Sequence, residues 1–254
     1  MTQCGRLIHD PSMTKERADR LLVARGLFAS RARAQAAIAA GRVTADGLTV
    51  RKASEEISGA AVIAAAPEHP YVSRGGVKLA AAFDRFAVDV AGRVCLDVGA
   101  STGGFTQVLL ERGARCVYAV DVGRAQLHAS LRGRNDIVLL EETDIRALDP
   151  SRFAERPDLA TVDVSFISLK LVLPAIGKLL QAPASLLALI KPQFEAPRRN
   201  IKKGIVRDAA VQQAVCEDIA AFVTAQGWRV GGVMPSPIRG GDGNAEFFIE
   251  AARG

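Results

Sequence analysis

The stretch VCLDVGASTGGFTQVLLERG, residues 94–113, carries the sharpest chemical signal in the chain. An apolar run leads into Asp97-Val98-Gly99, small residues follow, and Gly103-Gly104 stands where a helix would open. Such a loop lets a ligand come up against backbone, and at the switch point of a parallel sheet it predicts a nucleotide-like ligand. The glycines fall at 99, 103 and 104, with Ser101 where the dinucleotide fingerprint G-x-G-x-x-G wants its second glycine. The Lys-Ser/Thr pair of a nucleotide phosphate loop is also missing, so both of those ligand classes lose ground.

The same residues resemble the methyltransferase pattern D-x-G-x-x-x-G-G, whose backbone cradles the methionine part of S-adenosylmethionine. That resemblance implies a cofactor-binding set of Asp97, Gly99, Ala100, Ser101, Thr102, Gly103, Gly104 and Phe105. It implies further that Asp121, in VYAVDVG, accepts from the ribose hydroxyls, and that Asp144, in ETDIRAL, meets the adenine amino group. Taken singly, each aspartate reads equally well as a helix cap or a solvated loop residue.

Base N-methyltransferases carry an Asn/Asp-Pro-Pro-aromatic run after the fourth strand, whereas this chain has TVDVSFIS there, without proline. Cytosine-C5 enzymes need a nucleophilic cysteine, typically after proline, and no cysteine here follows one. Lys78, Asp163, Lys191 and Glu246, read as lying at strand ends, follow one another in the order of the FtsJ-like ribose 2′-O-methyltransferase tetrad. With SRGGVKL, VDVSFISL, IKPQFE and GIVRD, the chain resembles the TlyA family of ribosomal RNA cytidine 2′-O-methyltransferases over almost its whole length. A ribose hydroxyl is a weak nucleophile, so attack on a sulfonium methyl needs orientation and a place for the proton. Two roles fit Lys191: a base that takes the proton, or a charged group that positions the hydroxyl. The first needs a depressed pKa, which burial and a neighbouring Lys78 favour and Asp163 and Glu246 oppose.

The elements that must position these groups follow from hydrophobic pattern. VCLDVGA, CVYAVDVG, IVLLEE, LATVDVSF, SLLALIKP, WRVGGVMP and AEFFIEAA read as strands, with helical intervals at 103–112, 167–180 and 209–226. That alternation predicts an α/β fold, a Rossmann-like class I methyltransferase sheet covered on both faces. Residues 67–76, with Pro67, Pro70 and Gly75-Gly76, read as a linker, leaving 77–254 for the methyltransferase domain.

Residues 1–66 have a different grammar. One helix is expected from an N-cap at Thr14 to a stop at Gly26, and a second from a cap at Ser30 to Gly41. A hairpin then turns at Asp46-Gly47 between Val43 and Val50. Ser30, Arg31, Ala34, Ile38, Gly41, Val43, Gly47 and Val50 resemble the small α+β RNA-binding domain first known from ribosomal protein S-four. The resemblance implies RNA contact by Arg31, Arg33, Arg42 and Arg20.

Charge agrees, since residues 1–80 hold twelve Lys/Arg against seven Asp/Glu and so supply five of the net six positive charges. Such an excess suits a polyanion. A second basic run, EAPRRNIKKGIVRD, predicts a mobile RNA-contacting loop through Arg198, Arg199, Lys202 and Lys203. The expected partners are ribosomal RNA or ribosomal subunits. Four scattered cysteines and three scattered histidines suggest neither a disulfide framework nor a metal site. With no signal-peptide run and no apolar stretch of about 20 residues, a cytoplasmic enzyme without membrane contact is expected. The alternatives from other classes are a haemolysin-type membrane-active protein and a non-catalytic RNA-binding protein with a degenerate methyltransferase domain.

Overall fold

The computed structural model describes residues 14–254, so Cys4 and His9 lie outside the described residues. The chain divides after Pro70 into two units.

The first unit contains β1 (Lys15–Arg17), α1 (Ala18–Ala24), α2 (Arg31–Ala39), β2 (Val43–Ala45), β3 (Leu48–Thr49), β4 (Glu56–Ser58) and β5 (Ile63–Ala65). Ser30 caps α2 as expected, its side chain accepting from the Arg33 N–H. Asp46 and Gly47, at φ 50° and 81°, turn β2 into β3 through two left-handed positions that this dipeptide tolerates. Leu22, Ile38 and Val43 are buried in its core, each worth about 1.5–3 kcal/mol. The Thr14 cap is corrected. Residues 15–17 pair antiparallel with β4, setting Arg17 opposite Glu56, and the helix starts at Ala18 without a side-chain cap. Tertiary pairing overrides the local capping signal there.

The second unit contains α3 (Arg74–Phe86), β6 (Val94–Val98), α4 (Gly104–Glu111), β7 (Cys116–Val120), β8 (Ile137–Leu140) and β9 (Leu159–Val162). It continues with α5 (Leu169–Leu179), β10 (Ala184–Ile190), α6 (Pro192–Glu195), α7 (Ala209–Ala225), β11 (Arg229–Pro235) and β12 (Phe247–Arg253). All seven expected strands join one sheet in the order β11-β12-β10-β9-β6-β7-β8. β10, β9, β6, β7 and β8 run parallel, and β12 is antiparallel to both of its neighbours. The apolar runs of the inner strands β6, β9 and β10 are continuous because both faces are covered. In β10, Leu186, Ala188 and Ile190 enter one core cluster with residues of α5 and α7, while Leu187 and Leu189 enter another with Leu79, Phe83, Phe105 and Leu109 from α3 and α4.

The chain leaves β6 toward β7 and β8 and returns on the other side at β9, so the switch point lies between β6 and β9. The linker expected over 67–76 is also corrected, because Arg74, Gly75 and Gly76 form the first turn of α3. Its glycines serve packing. A Cβ on Gly76 would stand 2.3 Å from the Tyr71 ring.

Candidate active site

The sheet register brings the functional side chains to one edge. Ala188 of β10 pairs with Val162 of β9, and Ile190 pairs with Phe247 of β12. Asp163, Lys191 and Glu246, each one residue beyond or before those strands, therefore gather where the parallel strands end. Lys78 arrives from the second turn of α3, which corrects its expected place at a strand end. Its Nζ donates to Glu246 Oε2 at 2.5 Å, and both side chains are buried. Lys191 Nζ stands 2.7 Å from Asp163 Oδ1 but donates its aligned hydrogen bond to Ser165 Oγ at 2.8 Å. Asp163 Oδ1 itself receives no aligned donor. Four groups thus stand as two ion pairs, with the Lys191 pair opening toward a cavity through Asp163 and Ser165.

That cavity, of about 420 Å³, lies at the switch point and suits a ligand of cofactor size. Gly99 forms part of its wall at φ 82°, packed so closely on the neighbouring strand end that a Cβ would stand 2.5 Å from the Asp163 carbonyl oxygen. Both the backbone angle and the space demand glycine. Asp121 joins two turns, accepting from Ser101 N–H at 2.8 Å through Oδ2 and from Gly123 N–H at 2.7 Å through Oδ1. Asp144 caps the short helical turn at 145–147 and is gripped by the Arg146 guanidinium, which together hold its carboxyl below the usual range.

Of the cofactor-binding residues expected from sequence, Gly99, Ser101, Asp121 and Asp144 line the cavity. Asp97, Ala100, Thr102, Gly103, Gly104 and Phe105 are not among its lining residues. The Asp97 carboxylate is fully buried between Thr106 Oγ1 at 2.6 Å and Thr161 Oγ1 at 3.2 Å, tying α4 and β9 to β6. Thr102 offers its carbonyl to the His128 N–H. Gly103, the N-cap of α4, packs against Leu127 and Leu131, and Gly104 against Ser73. Phe105 belongs to the core and stacks near Phe248.

Sequence reasoning missed Val122, Ile145, Arg146, Ser165 and Phe166, all on the cavity wall. Val122 and Ile145 directly follow the two acids, so the position after each of Asp121 and Asp144 was a usable signal. Phe166, a residue 91% exposed at φ 64° with its ring beside Phe194, had none.

Arg20, Arg31, Arg33 and Arg42 are exposed on the first unit. Arg31, however, is partly committed to Asp19, whose buried carboxylate also accepts from Arg17 and Gln35. In the second unit Arg198 and Arg199 lie in a helical turn, and Lys202 pairs with Ile205 across a Lys203-Gly204 turn. All four side chains are exposed. The loop expected to be mobile is instead anchored, because Asn244 donates to the Gly204 carbonyl and accepts from the Val206 N–H. Among the described residues, no helix is long and apolar enough to cross a membrane, and no three His, Cys, Asp or Glu side chains gather as a metal site.

The FtsJ-like methyltransferase family matches residues 71–253 and the S4 domain family residues 16–63. The chain is 43% identical over 238 residues to the 16S/23S rRNA (cytidine-2′-O)-methyltransferase TlyA of Mycobacterium tuberculosis, spanning 92% of this chain and 89% of that one. It is 45% identical over 239 residues to YqxC of Bacillus subtilis, provisionally named an rRNA methyltransferase, spanning 92% and 85%. A solved protein from Streptococcus thermophilus, named as a hemolysin, superposes with a TM-score of 0.74 at 42% identity, covering 95% of this chain and 89% of that one.

Proposed function

The chain belongs to the FtsJ-like methyltransferase family and carries an S4 domain ahead of it, and on that premise we propose that it is an S-adenosylmethionine-dependent cytidine 2′-O-methyltransferase of ribosomal RNA. The observation that carries this reading is the pairing of Lys191 with Asp163 and Ser165, two residues on the wall of the switch-point cavity. An amine held there, backed by a second buried lysine and two acids, suits a hydroxyl nucleophile.

The cavity fits the cofactor by size and by donor set. Asp121 and Asp144 offer carboxylate oxygens to ribose hydroxyls and an exocyclic amine, and Val122 and Ile145 beside them offer apolar faces to a purine ring. When bound, S-adenosylmethionine supplies a methyl group on a positively charged sulfur, an electrophile for in-line displacement. Lys191 either accepts the 2′-OH proton or donates to the 2′ oxygen, and in both cases holds it in line. The Lys78–Glu246 pair fills the buried space where β12 begins and places no free charge there. The exposed arginines of the first unit and the anchored basic loop of the second supply phosphate contacts, which position RNA without reading its sequence. Such a chain works on ribosomal RNA or ribosomal subunits in the cytoplasm.

Methyl transfer from labelled cofactor to ribosomal RNA, with the modified nucleotide mapped, tests the reading. Label should appear on a cytidine 2′ oxygen. Lys191→Ala should abolish turnover, by about 10²–10⁴-fold or more, while cofactor binding stays measurable. Label on a base atom, or full turnover in Lys191→Ala, would refute it.

A further inference from the structure

We propose that Ser165 is a positioning residue for Lys191, taking one N–H of Nζ and thereby aiming the remaining valence of that nitrogen at the incoming hydroxyl; this rests on the reading of the site as a ribose methyltransferase. Two acceptors face Nζ. Asp163 Oδ1, at 2.7 Å, attracts it by charge without hydrogen-bond alignment, and Ser165 Oγ, at 2.8 Å, holds it by an aligned bond. A lysine amine otherwise rotates freely about its last bond, so the direction of its free position is set by the directed partner. With Cε and Ser165 fixing two tetrahedral directions, rotation about the last bond is fixed; the Asp163 charge lies unaligned to one side, and a position of Nζ is left for the incoming hydroxyl. In the amine that position is the lone pair, able to take the 2′-OH proton; in the ammonium it is an N–H, able to donate to the 2′ oxygen.

The backbone supports this role. Ser165 lies on the cavity wall together with Gly99 and Asp163, on the side where the methyl donor is expected. Phe166 follows at φ 64°, a left-handed conformation disfavoured for a bulky residue. That turn closes the short segment from Asp163 to Phe166, so the hydroxyl and the carboxylate reach one amine from two residues apart.

The test uses the full chain carrying Ser165→Ala or Ser165→Thr, assayed for methyl transfer to ribosomal RNA, with thermal melting to establish that both variants fold. Ser165→Ala should lower kcat by about 10- to 100-fold, the worth of one hydrogen bond to a charged group, while the KM for RNA stays unchanged. Its kcat–pH profile should shift, because the amine is left without that partner, and Ser165→Thr should restore both rate and profile. Wild-type kcat and profile in Ser165→Ala would overturn the proposal. So would a loss of rate with an unmoved profile that threonine fails to rescue, since that is the mark of a merely structural role. If the wild-type chain binds cofactor yet transfers no methyl group to ribosomal RNA, the functional reading itself falls and takes this inference with it.

Discussion

Lys78 Nζ, on helix α3, and Glu246 Oε2, just ahead of β12, meet at 2.5 Å in a site where both side chains are buried. The contact joins two residues separated by 168 positions in sequence. A lysine and a carboxylate taken out of water cost several kcal/mol each, and their attraction repays that only while both are present.

This pair yields a stability prediction. Lys78→Ala or Glu246→Ala alone should destabilise the second unit by about 3–5 kcal/mol, because each leaves an uncompensated buried charge. Replacing both by apolar residues of similar volume, Lys78→Met with Glu246→Leu, should recover much of that stability. Urea denaturation of the three variants measures it. Equal destabilisation by the double variant and the sum of the singles would show that the two charges do not depend on one another.

Asp97 yields a prediction in pH. Burial pushes its carboxyl up to about 7, against the hydrogen bonds from Thr106 and Thr161 that pull it down. Between about pH 4 and 7 the folded chain therefore keeps a proton that the unfolded chain has released. Protons held by the native state make its stability fall as pH rises through that window, by up to ~4 kcal/mol, and level off above it. Asp97→Asn carries no titrating group, so its stability relative to the parent should increase from pH 5 to pH 8. Denaturant midpoints at the two pH values decide the matter, and a constant difference would contradict the assignment.

The anchored basic loop yields a third. Arg198, Arg199, Lys202 and Lys203 are exposed, and the Asn244 clamp holds the turn that carries the lysines. Replacing all four by glutamine should weaken RNA binding and lower the slope of log affinity against log salt by roughly 0.7–0.9 for each phosphate that the loop no longer neutralises. Cofactor affinity should not change, since none of the four lines the cavity. A salt titration of RNA binding reads the slope directly, and an unaltered slope would mean that the loop does not touch phosphate.

Much of the architecture was readable in the residues because it is encoded locally. Seven apolar runs became seven strands; in the inner strands β6, β9 and β10 the run is unbroken because residues buried on both faces of a parallel sheet leave no polar alternation. Asp46-Gly47 turned as its backbone preferences dictate, and Ser30 capped its helix. Where local signals competed with packing, packing won. Thr14 yielded its cap role to the pairing of β1 with β4, and Gly75-Gly76 proved to be close-packing residues of α3 rather than linker.

By itself, then, the order of residues determined the fold class and the glycine turn that lines the cavity beside Asp163. Tertiary structure alone decided where the charged groups point. Asp97 faces inward to two threonines, Lys78 spends its charge on Glu246, and Lys191 finds Ser165 as well as Asp163. The physical reason is that backbone preference and hydrophobic periodicity act over a few residues, whereas a buried charge takes its partner from whichever strand or helix end the sheet register brings within about 3 Å.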